Sequence, residues 1–280
     1  MTDQPSPSFP ARYARELSAL VLAPVVIAVI GWAPPWAYVG LVALVSIIAL
    51  WEFLTFGQKK GYPVQKELSV ILLLILLWTF VDPNVSVEIG VFAILLAIPT
   101  AYVFARTPLD EALPASAVCA LGTLYVGMLG GALLRLHGDF PLVGPKLVFF
   151  LLIAVWASDS GAYYVGRRFG KRRLSPRVSP KKTVEGGIGG AIAAMVAAAI
   201  VHFSFFPEFP LHHALIAAFL LSAAGIIGDL AESMWKRSAA VKDSGGLIPG
   251  HGGFLDRIDS VLFTAPILYA YWFVLTEPWP

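Results

Sequence analysis

Long runs of apolar residues are the feature of this sequence that most restricts its fold. Hydrophobic residues make up 58% of the 280 positions, charged residues only 14%, and the mean hydropathy is +0.75. A soluble domain of this length would need far more polar surface. A helix needs about 20 apolar residues to cross the roughly 30 Å core of a bilayer. Runs of about this length predict transmembrane helices over residues 16–33, 36–56, 68–82, 86–105, 114–136, 145–166, 187–206, 211–235 and 258–276.

The fold class that these runs predict is all-α, a polytopic integral membrane protein with about nine spans. Residues 1–11 are polar and rich in Pro and Ser, which favours a disordered tail. Residues 12–136 form an N-terminal transmembrane region of about five spans. Residues 137–280 form a C-terminal region of about four spans, with two long polar loops at 167–185 and 236–257.

Lys and Arg are divided unevenly between the two faces of the membrane. The N-terminus and the loops after the second, fourth, sixth and eighth spans would share one face. That face would hold all of the 20 Lys and Arg residues except Arg135 and Lys146. Because basic loops stay in the cytoplasm, we predict a cytoplasmic N-terminus and a C-terminus on the opposite face.

The two long polar loops both lie on the predicted cytoplasmic face. Basic residues that fix orientation and contact anionic lipids would account for much of the 167–185 loop. They do not account for the 236–257 loop, where Lys242, His251 and Asp256 are set among several glycines. This second loop therefore indicates binding or catalysis.

Asp159 lies in the sixth predicted span and Asp229 in the eighth. A charged residue inside a membrane helix costs about 2.5–3.5 kcal/mol and usually faces a cavity in which it has a function. Asp159 comes eight residues before Arg167, and Asp229 comes seven residues before Lys236. At about 1.5 Å per residue, both acids lie on the order of 10–12 Å from the cytoplasmic ends of their helices. We therefore expect them to be close together. The alternative for Asp159 is a buried ion pair with a neighbouring Lys or Arg.

Helical spacing adds polar neighbours to these acids. Glu232 and Ser233 share a helix face with Asp229, and Asp259 lies one turn after Asp256 at the start of the last span. Acids bind divalent cations, whereas basic side chains, glycines and helix starts bind phosphates. The combination predicts metal-assisted phosphoryl or nucleotidyl transfer.

His251 has three interpretations: a general base, a hydrogen-bond donor to phosphate, or a turn residue. Glycines on both sides of it favour a donor whose position is set by the backbone. No second histidine lies nearby in the sequence to complete a zinc site.

The stretch from Ser233 to Asp259, SMWKRSAAVKDSGGLIPGHGGFLDRID, resembles a known signature. Its frame is Ser, two residues, Lys-Arg, four residues, Lys-Asp, then Pro-x-His-Gly-Gly, two residues and Asp-Arg-x-Asp, and every fixed position is met. The signature is that of the phosphatidate cytidylyltransferases, or CDP-diacylglycerol synthases. Residues 158–190 resemble the same family, whereas the N-terminal half matches only as a hydrophobic multi-span region. Trp235 and Ser160 depart from the usual pattern without removing a charge or a ligand.

The resemblance implies an enzyme that transfers CMP from CTP to phosphatidate, giving CDP-diacylglycerol and pyrophosphate for phospholipid biosynthesis. It implies Mg²⁺ as cofactor, leaves a second metal ion open, suggests a homodimer, and gives no reason to expect a nucleic-acid partner. The expected location is the plasma (inner) membrane of a bacterium, as a multi-pass protein whose active site faces the cytoplasm. The catalytic region would then be residues 137–280.

The resemblance also implies roles for individual residues. Asp229 and Asp256 are expected to bind Mg²⁺, with Asp159 as a third ligand or beside the ligands. Lys242 and Arg257 are expected to meet the triphosphate of CTP, Lys242 as a catalytic residue. The other expected substrate-binding residues are Lys181, Lys182, Lys236, Arg237, Asp243, Gly250, His251, Gly252 and Gly253.

Other functions fit part of the pattern. A CTP-dependent lipid kinase would transfer the γ-phosphate to an alcohol and would need a base, and the complete signature disfavours it. A transporter would use Asp159 and Asp229 as ion or proton sites, which the lack of sequence repeats and the glycine-rich loop disfavour. The aspartate-rich pattern of the CDP-alcohol phosphotransferases is not found in the sequence.

Overall fold

A computed structural model describes residues 23–241, 244–245 and 253–276 of the chain. These residues form nine helices and one two-stranded hairpin. The helices are α1 (residues 23–31), α2 (Pro35–Lys59), α3 (Lys66–Trp78), α4 (Val87–Phe104), α5 (Leu109–Gly138), α6 (Gly144–Phe169), α7 (Val184–Ser204), α8 (Leu211–Ser238) and α9 (Leu255–Thr276). Each helix overlaps one of the predicted apolar runs, in the predicted order.

Within the described ranges, seven helices are long and apolar enough to cross a membrane, namely α2 and α4 to α9. Helix α3 has 13 residues, so it is only about 20 Å long and shorter than a bilayer core. The protein is therefore a polytopic helical membrane protein. The count of nine spans stays a prediction.

Proline marks several helix boundaries. Pro35 is in the first turn of α2, and Pro108 and Pro210 directly precede α5 and α8. Proline suits these positions because its φ angle is already fixed and its missing N–H would have no partner there. Pro99 and Pro266 lie inside α4 and α9, which membrane helices tolerate.

Small residues allow α6 and α7 to pack backbone to backbone. A Cβ atom added at Gly190 would lie 2.8 Å from the carbonyl oxygen of Ser158, and one added at Gly186 would lie 2.9 Å from that of Ala162. Both distances are too short for a larger residue, which is typical of membrane helix pairs. The contact holds the part of α6 that carries Asp159 against the start of α7.

The hairpin lies in the 167–185 loop and is an addition to the predicted all-α fold. Strand β1 (Arg173–Ser175) pairs antiparallel with β2 (Ser179–Thr183). The hydroxyl oxygen of Thr183 accepts a hydrogen bond from the backbone N–H of Gly186 at 3.1 Å and caps α7. Strand β2 therefore runs directly into a helix of the membrane region, and this connection positions the basic residues of the strand.

Candidate active site

The first part of the site joins β2 to α8. Nζ of Lys182 lies 2.5 Å from Oδ2 of Asp229, and the side chains are 24% and 38% exposed. The hydroxyl of Ser233 donates to Oδ1 of Asp229 at 3.3 Å, as the predicted shared helix face requires. Lys181 is exposed, because successive side chains of a strand point to opposite faces. Among the described residues, Lys182 pairs with an acid and the neighbouring Lys181 does not.

Asp159 belongs to the same cluster. It lies on α6 and is close enough to Asp229 and Lys182 to interact with both electrostatically. The predicted proximity of Asp159 and Asp229 is therefore confirmed. Asp259 on α9 is also within electrostatic reach of Asp229 and Lys182 and is buried. Three helices thus each supply a carboxylate around one lysine.

The second part of the site joins α8 to α9. Nζ of Lys236 donates to Oε2 of Glu232 at 3.1 Å and also pairs with Oδ1 of Asp256. The side chain of Glu232 is 1% exposed and that of Lys236 is 13% exposed. Oδ2 of Asp256 accepts the backbone N–H groups of Ser244 and Gly253, each at 3.1 Å. Asp256 therefore binds Lys236 and also the backbone N–H groups of Ser244 and Gly253, on either side of the intervening loop.

Glu232 and Asp259 connect the two parts. Glu232 interacts electrostatically with Asp256 and Asp259, and Asp259 interacts with Asp229. The acids form a continuous belt across α6, α8 and α9, and Lys182 and Lys236 form ion pairs with it. Such a belt of carboxylates attracts cations.

Carboxylate oxygens are the ligands that Mg²⁺ prefers, so the donor chemistry of the belt fits this ion. Oε1 of Glu232 is buried and has no hydrogen-bond partner among the described residues. Within those same residues, no three His, Cys, Asp or Glu side chains converge in the geometry of a metal site. Asp229 and Asp256 each hold a lysine instead. The assignment of Asp229, Asp256 and Asp159 as metal ligands stays a prediction.

Of the other predicted site residues, three lie within the described ranges and five lie outside them. Arg237 and Arg257 are exposed, in the last turn of α8 and the first turn of α9. Gly253 is buried and packs closely against Ser244, where a Cβ atom would overlap the Oγ atom. The remaining predictions fall outside the described residues and concern Lys242, Asp243, Gly250, His251 and Gly252.

Two features of the site are not predicted from the sequence, namely the hydrogen bonds of Glu52 and the packing of Trp235. Glu52 of α2 is buried and accepts hydrogen bonds from Ser244 and from the first residue of α9. Trp235 packs edge-on against Phe53 and Tyr125, with ring centroids 5.0 and 4.9 Å apart. The N-terminal half therefore contacts the signature directly. Glu52 is the one charged residue in the apolar run 36–56, and this is the sequence feature that could have identified it.

Comparison with known proteins gives the same family over almost the whole chain. The sequence profile of the cytidylyltransferase family matches residues 13–275. The phosphatidate cytidylyltransferase of Haemophilus influenzae is 37% identical, over 93% of this chain and 99% of that protein. The proteins of the same name from Bacillus subtilis and Synechocystis are 35% and 36% identical, over 82% and 87% of this chain and 86% and 90% of their own lengths. The resemblance seen in the signature is thus confirmed, and the chain belongs to the cytidylyltransferase family and is a nucleotidyltransferase.

Proposed function

We propose that this protein is a phosphatidate cytidylyltransferase. It would transfer CMP from CTP to phosphatidate and release pyrophosphate, in a reaction that depends on Mg²⁺. The observation that carries the proposal is the near full-length match to proteins of that name. The joined belt of acids and lysines on α6, β2, α8 and α9 supports it, because nucleotidyl transfer needs both kinds of charge in one place.

The chemistry asks little of the protein beyond position and charge. The nucleophile is a phosphate oxygen of the lipid, which is already anionic at neutral pH, so no strong base is needed. It attacks the α-phosphorus of CTP, the bond to the β-phosphate oxygen breaks, and pyrophosphate leaves with the electron pair. Holding two anionic substrates in line, and neutralising their charge as it moves, is the work left to the enzyme.

The described side chains suit these tasks. Asp229 and Asp256 would hold Mg²⁺, with Asp159 as a third ligand or beside the ligands. Bound there, the ion would neutralise the triphosphate and stabilise the leaving pyrophosphate. Lys182 and Lys236, which now pair with the same acids, would then be available to phosphate oxygens. Exposed Arg237 and Arg257 would add positive charge around the site.

The location follows from the same proposal. A lipid phosphate can enter sideways from the leaflet while CTP enters from the aqueous side, which suits acids placed inside the helices near one membrane face. Because the predicted topology puts nearly all basic residues on that face, it would be the cytoplasmic face of a bacterial plasma membrane. A homodimer is proposed on the family resemblance, and mass measurement of the detergent-solubilised protein tests it.

The activity test uses purified protein in detergent with phosphatidate, α-labelled CTP and Mg²⁺. We expect labelled CDP-diacylglycerol that depends on both phosphatidate and Mg²⁺. Asp229→Asn should reduce turnover by several orders of magnitude, whereas Glu67→Gln, at an exposed position on α3, should not change it. No CDP-diacylglycerol from the folded wild-type protein would refute the proposal.

γ-Labelled CTP separates the proposed reaction from that of a lipid kinase. Cytidylyl transfer puts this label into pyrophosphate, whereas a kinase puts it into a phospholipid. Label that appears in lipid, with a polyprenol or another alcohol as acceptor, would favour the kinase.

A further inference from the structure

Glu52 brings a charge from the N-terminal half of the chain to the base of the signature loop. Its side chain lies on α2 and the residue is 2% exposed. Oε2 accepts a hydrogen bond from Oγ of Ser244 at 3.0 Å and one from the backbone N–H of Leu255 at 2.8 Å. One carboxylate oxygen therefore joins the residue that follows Asp243 to the first residue of α9.

Asp256 binds the same segment from the other side. Its Oδ2 accepts the backbone N–H groups of Ser244 and Gly253. Ser244 is thus held twice, through its hydroxyl by Glu52 and through its backbone by Asp256. The position of Asp256 consequently depends on a segment that Glu52 fixes.

The packing around Glu52 leaves room for little else. A Cβ atom added at Gly245 would overlap Oε1 of Glu52, and one added at Gly253 would lie 2.7 Å from the backbone nitrogen of Gly245. Glycine at both positions lets the two sides of the loop meet over the carboxylate. Oε1 itself is buried and has no hydrogen-bond partner among the described residues.

Glu52 belongs to α2, but its carboxylate lies beside the start of α9, where a negative charge is electrostatically favourable. The first N–H groups of a helix lack partners inside the helix, and that end carries a partial positive charge. A carboxylate that accepts the N–H of Leu255 satisfies one such group and stabilises the helix end. Burying a carboxylate is costly without partners of this kind, so the hydrogen bonds from Ser244 and Leu255 stabilise Glu52 in its buried position.

We propose that Glu52 is a positioning residue for the active site: it fixes Ser244 and the start of α9 so that Asp256 and Lys236 stay in their working geometry. The effect of Glu52 on catalysis rests on the proposed function, whereas its effect on the position of the loop does not. This role makes α2, and with it the N-terminal transmembrane region, part of the catalytic scaffold. Glu52 does not touch the reacting atoms and acts through Asp256.

The first test needs no substrate. Amide hydrogen exchange of the purified protein in detergent reports the N–H groups of Ser244, Gly253 and Leu255. Glu52→Ala should increase their exchange rates at least tenfold. Glu52→Gln should increase them less, because an amide oxygen can still accept both hydrogen bonds. Glu67→Ala serves as the control at an exposed glutamate and should leave these rates unchanged.

The second test is kinetic and distinguishes positioning from bulk stability. Glu52→Ala should lower kcat by about 100-fold, since a displacement of about 1 Å can have that effect. It should raise the Mg²⁺ concentration for half-maximal activity, with a smaller change in KM for phosphatidate. Glu52→Gln should recover most of the activity. If Glu52→Ala does not fold, Ser244→Ala takes its place. It removes only one of the two hydrogen bonds to Glu52 and should cause the same changes to a smaller extent.

Wild-type exchange rates, kcat and Mg²⁺ dependence in both Glu52→Ala and Ser244→Ala would overturn the proposal. So would an activity loss that only follows the fraction of unfolded protein, with an unchanged Mg²⁺ requirement. If the wild-type protein itself makes no CDP-diacylglycerol, the proposed function fails, and the exchange experiment still decides whether Glu52 holds the loop.

Discussion

Nζ of Lys182 lies 2.5 Å from Oδ2 of Asp229, and this contact links the basic hairpin to an acid of α8. The preceding residue, Lys181, is on the other face of the same strand and is exposed. Two lysines that are adjacent in the sequence therefore have different surroundings. They form a matched pair for asking which basic residue of the hairpin serves the site.

Replacing Lys182 should impair the enzyme more than replacing Lys181. Lys182→Met removes the cation beside Asp229 and Asp159, and the loss of one charge-stabilising group typically lowers kcat by about 100-fold or more. Lys181→Met should lose much less, because its side chain points away from the acids. Stability should change little in both, since partly exposed ion pairs contribute about 0.2–1 kcal/mol. Initial rates and thermal unfolding in detergent measure both effects, and equal losses of activity would contradict the assignment.

Asp229→Asn and Asp256→Asn should differ in stability although both should abolish turnover. Asp229 has one lysine and one hydroxyl as partners, so its amide variant should unfold close to the wild-type temperature. Asp256 also accepts two backbone N–H groups. An amide nitrogen facing them would leave partners unsatisfied, at about 1–3 kcal/mol. Thermal unfolding without substrate tests this, and an Asp256→Asn protein as stable as Asp229→Asn would refute it.

The helices and the proximity of Asp159 and Asp229 could be predicted because their signals are local. An apolar run has the length of a span, and each acid lies a few turns before the predicted cytoplasmic end of its helix. The pairing of Lys182 could not be predicted, since strands of three and five residues carry no hydropathy period. Glu52 bonds to residues 192 and 203 positions away, and nothing in the local sequence selects those partners.

Gly253→Ala should disrupt the base of the signature loop. Its Cβ atom would overlap Oγ of Ser244 and lie 2.7 Å from the backbone nitrogen of Gly245. Such overpacking typically costs about 1–3 kcal/mol. Because Asp256 is bound to the same backbone, kcat should fall by at least about tenfold.

Gly40→Ala is the matched control for Gly253→Ala. Gly40 lies in α2, is exposed, and has no atom within 4 Å of an added Cβ. This change should leave activity intact and be neutral or stabilise the protein by up to about 1 kcal/mol. Full activity of Gly253→Ala would show that the close approach at this glycine is not required for function.

The membrane orientation predicts opposite labelling of the two ends of α6. Leu142, just before α6, is 92% exposed, and Arg177, in the hairpin after α6, is also exposed. Cys119 is fully buried, so Cys119→Ala gives a background for Leu142→Cys and Arg177→Cys. In intact spheroplasts, a membrane-impermeant maleimide should label Leu142→Cys, whereas Arg177→Cys should react only after permeabilisation. The reverse pattern would place the acidic belt on the outer face, away from cytoplasmic CTP. Labelling of both sites in intact cells would mean that α6 does not cross the membrane.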